Sequence, residues 1–286
     1  MRVLILGASG FIGKHLARAL ERRGDDVETR SLRDPEAAAA AASACDAAIN
    51  LAGESLAQRW SPAVKARIET SRTELPRRFI AALAARERRP SIYVSSSAVG
   101  YYGTSESAEF DESSPPGDDF LARVCKAWED SASGARALGM RVAIVRLGVV
   151  LGTDGGALAK MLPPFRAGLG GVAGSGRQWL SWIHIDDAVG AIVLALDRGD
   201  GATNATAPNP VTNAEFSKTL GRVLGRPTVA PVPALALKML LGEGADVVLK
   251  GQRVLPKRLA AEFGFEWQFP RVEAALGNLL HRDAKL

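Results

Sequence analysis

The chain has 286 residues, 47% of them hydrophobic, and carries 36 lysines and arginines against 31 acids for a net charge of +5. That length is long for one minimal domain and short for two independent ones, so one main body with a smaller appended lobe is expected, with ample core and no need of staples. The positive residues are scattered along helices, at Arg18, Arg22 and Arg23 for example, and form no basic stripe, which argues against nucleic acid as a partner.

No run is apolar enough to span a bilayer, and the N-terminal apolar stretch is too short for a signal peptide. Cys45 and Cys125 are isolated and lack metal-ligand spacing, so they are expected as core residues in a reducing compartment, with no metal site. A cytoplasmic location follows as the expectation.

In chain order, Val3, Leu4, Ile5 and Leu6 form a short apolar run of the kind a strand buried on both faces needs, and Gly7 breaks it. Behind it Phe11, Ile12, His15, Leu16, Ala19 and Leu20 recur at helical spacing until Gly24. Gly7, Gly10 and Gly13 lie at the junction, spaced G-x-x-G-x-x-G. A strand, a glycine-lined turn and a helix N-terminus together make a cradle in which a pyrophosphate can approach backbone N–H groups. A dinucleotide is therefore the expected ligand.

Residues 26–33 read as a second strand, more polar than a central parallel strand should be. An acidic residue about twenty positions past the glycine motif would hold a ribose 2′-OH, whereas a basic one accommodates a 2′-phosphate. Arg33 stands there, with Ser31 and Arg30 close by, which favours NADP(H). An alanine-rich stretch over residues 34–44 is long enough for one short helix, and residues 45–51 give another strand. Too little chain separates the two strands for a further one, so the second strand is expected at the sheet edge.

Ser61 and Pro62 read as an N-cap and first-turn proline, with Pro76 expected to kink or split the helix that follows. Residues 91–98 form the next strand, Asp118 or Asp119 caps a helix through Ala137, and residues 140–151 form the longest apolar strand. Alternation of strand and helix predicts an α/β fold, a Rossmann-type doubly wound parallel sheet. Residues 1–152 are expected as the dinucleotide-binding domain, with 178–208 returning to it. The glycine-rich loops within 153–177 and the helices of 209–286, which include one capped at Thr212-Asn213 and a closing one over 272–280, form a smaller, discontinuous C-terminal substrate lobe.

Four motifs, Gly7-Ala-Ser-Gly-Phe-Ile-Gly, Asn50-Leu-Ala-Gly, Val94-Ser-Ser-Ser-Ala-Val-Gly-Tyr-Tyr-Gly and Trp182-Ile-His-Ile-Asp-Asp, give nearly the whole chain a resemblance to the extended short-chain dehydrogenase/reductases. More narrowly, Arg59-Trp60, Ser71-Arg72 and Gly251-Gln-Arg-Val-Leu-Pro resemble the atypical "epimerase family" subgroup. The resemblance implies a cofactor site along Gly7, Ser9, Gly10, Phe11, Ile12, Gly13, Ser31, Arg33, Leu51, Ala52, Gly53 and Arg72. It also implies a homodimer through helices near residues 63–85 and 120–137.

In the wider family a Ser or Thr orients the substrate oxygen, and a Tyr with a Lys four residues later exchanges the proton that hydride transfer leaves behind. Ser97 matches the first role and Lys126 the lysine. The residue four before Lys126 is Ala122, so the tyrosine is absent from its place, and Tyr101 or Tyr102 is left to supply a displaced hydroxyl. Arg177 and Arg253 are candidate grips for a substrate diphosphate, with Trp182 as a pocket wall; His184 is expected to make a structural hydrogen bond beside Asp186. The expected function is NADP(H)-dependent oxidoreductase or epimerase-like chemistry on a small hydroxyl or carbonyl compound, sugar nucleotides included. The alternative is a non-catalytic NADP(H)-binding redox sensor.

Overall fold

A computed structural model of the protein describes residues 1–228 and 231–283. The first strand, β1 (Arg2–Leu6), is followed by α1 (Phe11–Arg23), β2 (Asp26–Arg30), α2 (Pro35–Ala42) and β3 (Ala47–Asn50). Alternate side chains of an extended chain face opposite ways. Val3 and Ile5 accordingly enter one core while Leu4 and Leu6 enter the other, and all four are fully buried. Helix α1 buries Gly13, Leu16 and Leu20 and stops at Gly24, whose φ of +90° belongs to the left-handed conformation that terminates helices.

Among the described residues β2 pairs only with β1, and β3 lies on the other side of β1. The second strand is thus an edge strand, as its polarity requires. It ends at Arg30, three residues short of the expected limit, because residues 31–33 turn back: Ser31 Oγ accepts from the Arg33 N–H at 3.2 Å and Leu32 drops into the core.

Next come α3 (Pro62–Arg72), α4 (Glu74–Ala84) and β4 (Ile92–Ala98). Ser61 Oγ accepts from the Val64 N–H and caps α3. The helix parts at Thr73, which places Pro76 in the first turn of α4, where its missing N–H breaks no helical bond. After β4 follow a 3₁₀ turn (Val99–Tyr102), β5 (Glu109–Phe110), α5 (Phe120–Ser133) and β6 (Arg141–Leu147). Asp119 caps α5 through Oδ1; the expected extension to Ala137 is instead a 3₁₀ turn, Gly134–Leu138.

The expected long strand over 140–151 is corrected by the structure. It breaks at Gly148 into β6 and β7 (Val149–Leu151), and β7 leaves the main sheet to pair with β9 (Trp182–His184) beyond α6 (Gly156–Arg166) and β8 (Trp179–Leu180). The chain changes partner there, Gly148 N–H donating to the Ala205 carbonyl and Val149 N–H to that of Ser181, and only glycine fits at 148, where a Cβ would lie 2.4 Å from the Ser181 carbonyl oxygen. Then come α7 (Ile185–Arg198), β10 (Gly201–Ala205), β11 (Val211–Thr212), α8 (Asn213–Leu224), α9 (Ala234–Leu241), α10 (Asp246–Leu249), β12 (Arg253–Val254), α11 (Lys257–Ala261) and α12 (Val272–Asp283).

The main sheet has six parallel strands in the order β2-β1-β3-β4-β6-β10. Helices α2 and α4 cover one face, with Ala132 of α5 beside them. Helices α1, α6 and α7 cover the other, and side chains of α8 and α12 join that same core. The C-terminal helices therefore share a core with the sheet. No described helix is long and apolar enough to cross a membrane.

Candidate functional site

Parallel pairing sets Leu6 opposite both Arg30 and Asn50. The chain beyond each of these three positions, at Gly7, Ser31 and Leu51, therefore emerges at the same carboxyl edge of the sheet, where open α/β folds bind ligands. Gly7 has φ +92°, and a Cβ on it would lie 2.9 Å from the Ala52 nitrogen. Gly13 is tighter, its hypothetical Cβ falling 2.3 Å from the Gly7 oxygen and 2.7 Å from Ala8 Cα. The turn is closed by Gly10 N–H donating to the Gly7 carbonyl at 3.0 Å.

Gly10 caps α1 with no side-chain bond, and the first turn holds no acid. Its N–H groups, together with the positive end of the helix dipole, face the mouth beside exposed Ser9 and Gly10 with half-buried Phe11 and Ile12 next in line. That is the donor set a pyrophosphate requires. On the β3 side, Asn50 Oδ1 accepts from the Ala52 N–H at 3.0 Å, fixing the turn that brings Gly53 into the crevice.

Arg72, at the end of α3, lies against Gly53, with Nη2 3.0 Å from the position a Cβ would take. Its Nη1 donates to the Ile68 carbonyl and Ser71 Oγ, its guanidinium stacks 5.2 Å from the Trp128 ring, and burial holds its pKa below the usual arginine value. Among the described residues no carboxylate lies within ion-pair distance of it. Glu54 is within electrostatic reach of both Arg72 and exposed Arg33, which places the two cations about one crevice. A half-buried cation without an anion is costly unless a ligand supplies one. The residues present fit a phosphate-bearing dinucleotide.

A second cluster lies on the same edge, on the other side of β3. Ser97, Arg146 and Asn204 occupy one rung across β4, β6 and β10. Glu129 of α5 receives Arg146 in a two-pronged pair, Nε to Oε1 and Nη2 to Oε2, each at 2.8 Å, with the two side chains only 5% and 10% exposed. Ser97 Oγ donates to Glu129 Oε1 at 2.7 Å. Arg146 Nη1 donates to the Tyr102 hydroxyl, which donates in turn to Asn204 Oδ1, both at 2.8 Å. Burial pushes the Tyr102 phenol up to about 12.

Ser97 and Tyr102 are thus committed to a buried network, and Ala122 is itself fully buried. Tyr101 is half-buried with its ring 3.5 Å above the Arg146 guanidinium. Lys126 is exposed on α5 and paired with Asp130 at 2.7 Å, with Tyr101 within electrostatic reach.

Residues 3–207 match the model of the NAD dependent epimerase/dehydratase family. The chain belongs to the epimerase/dehydratase family. Residues 232–279 match a domain of unknown function, DUF1731. Over 98% of its length this family member is 46% identical to the chloroplastic epimerase family protein SDR39U1 homolog of Arabidopsis thaliana, of which it covers 87%. It is 40% identical to human epimerase family protein SDR39U1, again over 98% of this chain and 100% of that one. The crystal structure of human SDR39U1 (isoform2) with NADPH superposes with a TM-score of 0.89 at 37% identity, covering 98% of this chain and 99% of that one. A Thermotoga maritima UDP-glucose 4-epimerase shares the fold at a TM-score of 0.83 and 19% identity, over 100% and 99% of the two chains.

In this epimerase-family chain each of the expected substrate residues has a partner of its own. Arg177 pairs with Glu106 at 3.2 Å, and Arg253 with Glu109 at 3.4 Å while stacking over Trp179. Trp182 is fully enclosed and donates to the Asn209 carbonyl, a core role. His184 caps α7, its Nδ1 accepting from the Asp186 N–H at 3.0 Å, as expected. Glu129, Arg146 and Asn204 were not among the expected site residues, although an arginine inside the run Arg141–Leu147 signals a buried charge in need of a partner.

Proposed function

We propose that this member of the epimerase/dehydratase family binds NADP(H) between Gly7–Gly13 and the Arg33–Arg72 side, and uses it on a small hydroxyl or carbonyl substrate. In that reading Gly7, Ser9, Gly10, Phe11, Ile12 and Gly13 seat the pyrophosphate. Leu51, Ala52 and Gly53 flank the adenosine half, and Ser31, Arg33 and Arg72 meet its phosphate charge. When bound, the nicotinamide supplies or accepts a hydride. The observation that carries the reading is Arg72, a largely buried guanidinium beside Gly53 with no carboxylate within ion-pair distance among the described residues; the NADPH-bound human relative supports it.

Residues 1–152 and 178–208 form the cofactor domain in this reading, and 153–177 with 209–286 form the substrate lobe. A cytoplasmic location and a homodimer through α3–α5 belong to the same proposal, the two buried free thiols suiting a reducing compartment. A second reading, a non-catalytic NADP(H) sensor, is favoured by Ala122 and by the commitment of Ser97 and Tyr102 to the buried network.

Equilibrium titration followed by NADPH fluorescence tests the cofactor assignment. NADPH is expected to bind at least tenfold more tightly than NADH, and Arg33→Ala or Arg72→Ala to reduce that preference severalfold. Equal affinities for the two nucleotides would contradict the role given to both arginines.

A further inference from the structure

Arginine is a long side chain with several freely turning bonds, and one that selects among ligands works best when it is held where the ligand's charge arrives. Arg72 is held from several sides. Its Nη1 donates to the Ile68 carbonyl at 3.3 Å and to Ser71 Oγ at 3.4 Å, within its own helix. Ser71 Oγ also accepts from the Glu54 N–H at 3.0 Å, which ties the last turn of α3 to the chain just after Gly53. From α5, Ser131 Oγ shares its proton between the carbonyls of Ala127 at 2.8 Å and Thr73 at 3.2 Å, fixing the backbone next to Arg72.

The remaining hold is Trp128, which shares a face of α5 with Ser131. Its ring centroid lies 5.2 Å from the guanidinium carbon, and the residue is only 5% exposed. Its indole N–H has no acceptor among the described residues. A buried donor left unpaired is a cost that leucine or phenylalanine would avoid. What tryptophan offers in return is its face, the best of the aromatic side chains for a cation. Glu54 meanwhile turns its carboxylate to Gln58 Nε2 at 3.0 Å and to Arg67 Nε at 3.6 Å. The hydrogen bonds of Arg72 all run through Nη1, so Nη2, the atom nearest Gly53, is left for a ligand.

We propose that Trp128 and Ser71 are the positioning residues of cofactor selection. They hold the Arg72 guanidinium in place before the nucleotide arrives, with Nη2 toward Gly53, where it tells a nucleotide bearing a 2′-phosphate from one without. The inference rests on the NADP(H) reading above and gives the two side chains no part in hydride or proton transfer. Binding does not have to order a guanidinium that is already fixed, and the phosphate meets a charge already stripped of much of its water. NADH makes the same backbone contacts at Gly7–Gly13 and lacks the group that Arg72 meets, so loss of the hold is felt by NADPH alone.

Affinities of the full-length protein for NADPH and NADH, followed by the fluorescence of the reduced nicotinamide, provide the test. Trp128→Leu is expected to lower the preference for NADPH over NADH at least threefold while NADH affinity stays within twofold of the parent. Trp128→Phe keeps an aromatic face and is expected to hold the preference within twofold. Ser71→Ala displaces no packed ring, so it reports on the hold even if Trp128→Leu does not fold, and a loss of preference of at least twofold is expected. Arg72→Ala/Trp128→Leu is expected to lower the preference no further than Arg72→Ala alone. An equal fall in NADPH and NADH affinity in Trp128→Leu, or an unchanged preference in either Trp128→Leu or Ser71→Ala, overturns the inference and leaves the cofactor reading standing. A loss in Trp128→Phe as large as in Trp128→Leu overturns the part given to the aromatic face. Absence of NADPH binding by the parent protein overturns both readings.

Discussion

Gly13→Ala is expected to lower NADPH affinity at least 100-fold, equivalent to about 2.8 kcal/mol. The new methyl group would meet the Gly7 oxygen at 2.3 Å and Ala8 Cα at 2.7 Å. Both are backbone atoms of the turn itself, so no side chain can swing aside to admit it. Relief requires the turn to open or α1 to retreat from β1, and either movement displaces the N–H groups on which a pyrophosphate would rest. Gly24→Ala is the control. Gly24 ends the same helix at φ +90° with open space around it. Backbone strain there costs about 1–2 kcal/mol of stability, and NADPH affinity is expected to stay within twofold of the parent. Calorimetric titration of the two variants separates the effects, and equal losses of affinity would refute a local role for Gly13.

Glu129→Leu carries the largest expected cost to stability. The substitution leaves the Arg146 guanidinium, at 5% exposure, facing an apolar side chain where two charge-assisted hydrogen bonds had been. Removal of one partner from a buried pair costs about 3–5 kcal/mol, and in a chain of this size that lowers the melting temperature by about 10 °C. The double variant Glu129→Leu/Arg146→Met removes both charges and is expected to recover most of the loss, because a well-packed apolar pair does not pay the desolvation that the ions incur. Thermal unfolding of the single and double variants gives the coupling directly. A loss under about 1 kcal/mol in Glu129→Leu would mean that water reaches the pair, as it does in exposed ion pairs.

The cofactor half of the site is legible in the sequence because its determinants are local. An apolar run, three glycines at fixed spacing and a helical period lie within Val3–Gly24, and a backbone cradle needs nothing from elsewhere in the chain. The edge position of β2 follows from its polarity and from the short connection to β3. The second cluster is otherwise. Ser97, Glu129, Arg146 and Asn204 come from four elements, and only the register of β4, β6 and β10 brings three of them onto one rung. Ser97 stood out as a strand-end serine, yet nothing near it in sequence shows that its proton goes to a carboxylate 32 residues on. The break at Gly148 was hidden for a related reason. Residues 140–151 read as one apolar strand, and the division depends on the carbonyl of Ser181, which reaches that point only in the folded chain.

The claim on which the rest depends is that phosphate groups sit on the first turn of α1 with arginine beside them. A crystal structure of this protein grown with NADPH tests it most directly. Pyrophosphate oxygens are expected about 3 Å from the N–H groups of Phe11 or Ile12, with the 2′-phosphate within ion-pair reach of Arg33 or Arg72. Density for the nucleotide anywhere else, or a bare cradle at saturating NADPH, would contradict it.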